Sequence, residues 1–208
     1  MNIIGLSVVG IVAAAIHVFA GDAVGAWDPW VKAVPVAMLG LMLVGSKRTL
    51  AVTLAAIGLF ISAFADAAIE YNFLGGLLGF LIAHVFYIAA FVRAEPRPRW
   101  LRLIPMALWG VVALPLLVAG AGKLAMPVLI YGAVILTMVW RAAAAVDGVG
   151  WNAGTIGLVG ALFFATSDTL LGYGRFVGPL PMARFLTIGT YWIAQSLITA
   201  SFWKRSRG

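Results

Sequence analysis

Apolar residues run along this chain in blocks of about the twenty residues that an α-helix needs to cross hydrocarbon, and polar residues gather between the blocks. The blocks cover residues 2–20, 30–46, 49–68, 73–92, 101–120, 124–145, 152–172 and 181–203, and they nearly fill the sequence. The intervals hold turn-forming or charged residues: Asp28-Pro29, Ser46-Lys47-Arg48, the run from Arg93 through Glu95 and Arg97 to Arg99, Asp147-Gly148 and Gly178-Pro179. This pattern predicts an all-α polytopic membrane protein, a bundle of eight transmembrane helices in a single domain over 1–208, with two four-helix halves as a subdivision. No Lys or Arg precedes the first block, so it reads as a retained helix rather than a cleaved leader.

Composition sharpens this. The 208 residues are 63% hydrophobic and 10% charged, against roughly a quarter charged in soluble domains. With no Cys and two His, disulfide frameworks, thiolate metal centres and cysteine nucleophiles are excluded. The net charge of +7 does not signal a nucleic-acid partner, because Lys and Arg sit between apolar blocks, where they anchor helices against lipid. Counted by side, Lys47, Arg48, Arg93, Arg97, Arg99, Arg102, Arg141, Lys204, Arg205 and Arg207 share the side of the termini. Lys32, Lys123, Arg175 and Arg184 lie opposite, which places both termini in the cytoplasm of a bacterial-type cell membrane.

Ionisable residues inside apolar blocks carry the functional information, since each is costly unless it faces protein or water. Ser62 and Asp66 lie four residues apart on one face of the third block. Phe80, His84 and Tyr87 share a face of the fourth, and Ser167-Asp168 follows a glycine-rich approach in the seventh. Tyr131 in the sixth block, Tyr191 and Gln195 in the eighth, and Lys32 opening the second complete the set. Serine bonding within its own helix, a helix-joining Gln195 and a snorkelling Lys32 are the plainer readings of those residues; His17 reads as interfacial. Two carboxylates within spans lack such a reading. Asp66 and Asp168 each follow a glycine by eight residues (Gly58, Gly160) and an alanine by three (Ala63, Ala165). A pseudo-twofold axis relating the halves would set the two acids across a shared cavity.

In order and spacing these residues resemble the YhhN-type lysoplasmalogenases. The likeness rests on Lys32-Ala-Val-Pro35, Gly58-Leu59 through Ser62 to Asp66, Phe80 with His84 and Tyr87, Pro127-Val128 with Tyr131, Gly160-Ala161 through Ser167-Asp168, and Tyr191 with Ala194-Gln195. Ala65 departs from the glycine expected before the first aspartate. The resemblance implies hydrolysis of the vinyl ether bond of lysoplasmalogens to a fatty aldehyde and glycerophosphoethanolamine or glycerophosphocholine. Asp66, Asp168 and His84 are then the catalytic candidates, with Lys32, Ser62, Tyr87, Tyr131, Ser167, Tyr191 and Gln195 against the substrate. Vinyl ether cleavage begins with a proton delivered to carbon, and a carboxyl pair can divide the roles of acid and of base or cation stabiliser, as in glycosidases. The scheme calls for no metal or cofactor and no obligatory protein partner; its partners are a lysophospholipid and membrane lipid. The alternative is a small transporter or lipid-binding protein that uses the two aspartates as a proton or cation site.

Overall fold

The computed structural model describes residues 2–207, and every regular element among them is helical. In chain order these are α1 (Ile3–Val24), α2 (Asp28–Val44), α3 (Leu50–Tyr71), α4 (Phe73–Ala94), α5 (Ile104–Gly120), α6 (Ala125–Ala144), α7 (Ala153–Phe176) and α8 (Ala183–Arg205). Short 3₁₀ turns precede α2, α5 and α6. Side-chain caps open several helices where the sequence changes from polar to apolar. The Asn2 carboxamide accepts from the Ile4 amide, Thr49 from Val52 and Asn152 from Thr155, each satisfying an amide that helical bonding leaves over.

Among the described residues, six stretches suffice by length and apolarity to cross a bilayer: Ile3–Val44 taken as one, Leu50–Tyr71, Phe73–Ala94, Trp100–Gly120, Gly122–Ala144 and Ala153–Phe176. The first is 42 residues long, about twice one crossing. Its helix is interrupted at Gly25, whose φ of +53° suits a residue without a Cβ. In α8, Gln195 and a scatter of Thr and Ser dilute the hydropathy. The helices outrun the apolar blocks that predict them: α3 continues past residue 68 to Tyr71 and α7 past 172 to Phe176. Hydropathy ends where water begins, whereas backbone hydrogen bonding continues until a cap stops it.

The chain divides into two compact units, Met1–Ala90 with Phe202–Gly208, and Phe91–Ser201. In the first, α2 packs on α1 and α3, and its core is built from Val36, Leu43, Ala55, Leu59, Ala83 and Tyr87. Small residues let the helices approach closely; a Cβ on Gly79 would stand 2.9 Å from that of Ala65. In the second, α5, α6 and α7 pack together around Met138, Val139, Ala142, Ala161 and Phe164. Apolar side chains such as Ile4, Ile11, Phe19, Leu108 and Val111 point outward, as they would toward lipid acyl chains.

The connection after α4 is fastened rather than loose. Glu95 accepts from the backbone and side chain of Arg97 at 2.8–3.0 Å and from Arg99 at 3.3 Å. Arg99 and Arg102 donate to the Val146 carbonyl, Arg102 also to that of Ala143, and buried Arg141 to that of Glu95. The Ala143 carbonyl in the last turn of α6 and the Val146 carbonyl just beyond it are thereby met by guanidinium groups. The Arg97 side-chain bonds, then its backbone bond, then the charges of Arg97 and Arg99 hold the Glu95 carboxyl down at about 2 against an ordinary 4.5. A depressed pKa stabilises the fold fully above the ordinary value, and that contribution disappears as pH falls toward about 2. Thermal unfolding in detergent should therefore show wild-type protein losing more stability than Glu95→Gln as pH falls from 4.5 to 2; parallel pH profiles would refute this role.

Candidate active site

In the first unit Ser62, Asp66 and Glu70 lie at successive four-residue steps along α3, and so on one face. Asp66 is 1% exposed and Ser62 wholly buried. Tyr87 and His84, both also fully buried, come from α4. A Cβ on Gly58 would lie 2.6 Å from the Tyr87 ring, so the missing side chain is what lets α4 approach. At that separation the Tyr87 and Ser62 hydroxyls meet at 3.2 Å. His84 donates from Nδ1 to the Phe80 carbonyl at 2.6 Å, which fixes the tautomer and makes Nε2 the acceptor of the neutral ring. Its imidazole stands edge-on to Tyr87, with centroids 6.3 Å apart.

Toward the C-terminal end of α3 a second polar group forms. Lys32 of α2 donates to Glu70 Oε1 at 2.6 Å, with the lysine nearly buried and the glutamate half-exposed. His17 is buried against protein, and its Nδ1 lies 2.7 Å from Asp28 Oδ1. In the sequence Asp28 reads only as part of a turn, and Glu70, just past the third apolar block, is not singled out. The signal for Glu70 was its place four residues after Asp66; for Asp28, the length of α1 conceals the contact.

In the second unit Tyr131 of α6 donates to Asp168 Oδ2 of α7 at 2.6 Å. The phenol is buried and the carboxylate half-buried. On α8, Gln195 donates to the Tyr191 hydroxyl one turn earlier at 3.2 Å, and the Tyr191 ring meets Phe164 edge-on. Ser167 donates to the Thr187 carbonyl at 2.8 Å, tying α7 to α8 rather than bonding within its own helix. Gly160 again marks a close approach to the following helix: a Cβ there would stand 2.9 Å from the Ile198 amide nitrogen. The two aspartate segments thus share a local plan, a glycine admitting the next helix two turns before the acid. Among the described residues, no three His, Asp or Glu gather as a metal-ligand set.

Compared with known proteins, residues 27–202 match the model of the YhhN family. The human lysoplasmalogenase TMEM86B is 34% identical over 142 residues, covering 67% of this chain and 59% of that protein. Human lysoplasmalogenase TMEM86A is 35% identical over 153 residues, 70% of this chain and 63% of the relative. A lysoplasmalogenase of Mycobacterium tuberculosis (strain CDC 1551 / Oshkosh) is 32% identical over 139 residues, 64% of this chain and 51% of its own. The chain therefore spans about three-fifths of the length of the curated relatives it matches. No solved structure matches.

Proposed function

The chain belongs to the YhhN family, and from that premise we propose that it is a lysoplasmalogenase, hydrolysing the vinyl ether of a lysophospholipid with Asp66 and Asp168 as its working carboxyl groups. The observation that carries the reading is a pair of aspartates set into apolar helices, each beside hydroxyl-bearing side chains: Ser62 on the Asp66 face of α3, and Tyr131 bonded to Asp168. A carboxyl group there is expensive to keep, and vinyl ether cleavage gives it a purpose.

In the proposed reaction one carboxylic acid protonates the β-carbon of the C=C–O unit, and the electron pair of the double bond forms the new C–H bond. The resulting oxocarbenium ion is captured at the α-carbon by water, whose proton passes to a carboxylate acting as base. The hemiacetal then collapses to a fatty aldehyde and a free glycerol hydroxyl. His84, with Nδ1 fixed by the Phe80 carbonyl, is assigned to orient the water. Tyr131 orients Asp168, and Tyr87, Tyr191 and Gln195 supply donors to the ether oxygen and glycerol hydroxyl. Ser62 positions Tyr87 through their mutual bond. Eight crossings with both termini cytoplasmic complete the proposal, α1 and α2 forming two of them and α8 the last.

The test is aldehyde release by purified, detergent-solubilised protein from a 1-alkenyl lysophospholipid. In D2O, aldehyde trapped at once should carry one deuterium beside the carbonyl, because the proton added to carbon comes from a group in exchange with solvent. Absence of aldehyde across several head groups would overturn the hydrolase reading.

A further inference from the structure

We propose that Glu70 reads the cationic amine of the substrate's head while Lys32 holds its phosphate, so that this ion pair selects zwitterionic lysophospholipids; this rests on the lysoplasmalogenase reading above. Lys32 is only 9% exposed, and its Nζ meets Glu70 Oε1 at 2.6 Å. Glu70 by contrast keeps 49% of its side chain exposed. A salt bridge open to solvent on one side contributes little to folding, and its half-exposed carboxylate stays open to a ligand. A nearly buried lysine beside an open glutamate suits a ligand that arrives carrying both charges.

The spacing along α3 agrees. Glu70 stands one helical turn beyond Asp66 on the same face, an axial step of about 6 Å at 1.5 Å per residue. In a lysoplasmalogen five bonds separate the vinyl ether oxygen from phosphorus, about 6 Å at the roughly 1.2 Å per bond of an extended chain. A reactive bond at the level of Asp66 thus sets the head group at the level of Lys32 and Glu70. The pair need not break on binding. Lysine has three donors and a carboxylate two oxygens, of which the bridge uses one each. Phosphate, Lys32, Glu70 and ammonium can then alternate in sign. Of the other acids at this end, Asp28 lies one turn before Lys32 and is engaged by His17 at 2.7 Å, and Asp22 stands exposed near the end of α1, whereas Glu70 is the one bonded to Lys32.

The experiment measures Kd for 1-O-alkyl lysophospholipids, which lack the cleavable double bond, with phosphoethanolamine and with phosphoglycerol heads. The full chain is used as wild type, as Glu70→Gln, and with the pair exchanged, Lys32→Glu with Glu70→Lys. Glu70→Gln should weaken the amine head about tenfold while the glycerol head changes by less than about twofold. The exchanged pair, which still bridges α2 and α3, should leave the amine preference lost. Equal weakening of both heads, no weakening of either, or restored preference in the exchanged protein would each show a structural bridge and overturn the proposal. Aldehyde release plays no part in the readout, so failure of the hydrolase reading shows itself separately.

Discussion

Aldehyde release should fall by roughly 10²–10⁴-fold when Asp66 or Asp168 is replaced by Asn, the range over which a positioned acid or base accelerates proton transfer. Asparagine keeps the shape of the side chain and its capacity to accept from Tyr131 but cannot exchange a proton at working pH. The loss should therefore lie in kcat, with KM little changed and thermal unfolding in detergent near that of the wild type. Alanine variants separate the two roles: space vacated at the acid's position lets added formic acid restore turnover, whereas rescue by formate that strengthens as pH rises identifies the base. Either asparagine variant retaining wild-type kcat would remove that residue from the mechanism.

Gly160→Ala is expected to destabilise the protein by about 1–3 kcal/mol, the usual cost of forcing a methyl group into a packed site. The added Cβ would stand 2.9 Å from the Ile198 amide nitrogen and 3.0 Å from Leu197 Cβ. Backbone cannot rotate away as a flexible side chain can, so α8 must shift. It is held at both ends against doing so, by Ser167 on the Thr187 carbonyl at 2.8 Å and by Ser201 on the Ala153 carbonyl at 2.6 Å. Gly174→Ala, on the same helix with nothing within 4 Å of its Cβ, is the control, and helix propensity alone should make it neutral or up to about 1 kcal/mol stabilising. Thermal unfolding of the two variants side by side checks the difference; equal midpoints would refute the packing argument.

The helices were legible because hydrophobic length is set by the bilayer and leaves little freedom. Their ends were less so, since α3 and α7 persist through polar residues that hydropathy assigns to connections. Ser62 and Asp66 sharing a face followed from helical period alone, and so did the common face of His84 and Tyr87. Contacts between helices did not follow. Tyr87 reaches Ser62 and Ser167 reaches Thr187 across close approaches that Gly58 and Gly160 permit, with packing partners 20 or more residues away, and Tyr131 reaches Asp168 from 37 residues earlier. Lys32 illustrates the gap. Its place at a span end suggested a tail reaching for water, yet it is folded inward onto Glu70, a residue the apolar block stopped just short of.

The arginines after α4 answer to two selective demands at once. As charges in a connection they count toward the sidedness of insertion, a duty any cation performs equally well. In the folded chain Arg97 grips the Glu95 carboxylate through two nitrogens at 2.8 and 2.9 Å, and Arg99 spans that carboxylate and the Val146 carbonyl, a duty the single ammonium of lysine cannot copy. Exchange of arginine for lysine at 97 or 99 is therefore conservative for the inserting chain and radical for the folded one. Drift between the two cations should be tolerated sooner at Arg102, which meets the Ala143 and Val146 carbonyls through one nitrogen. Relatives that have traded Arg97 or Arg99 would need a compensating donor on the Glu95 carboxylate.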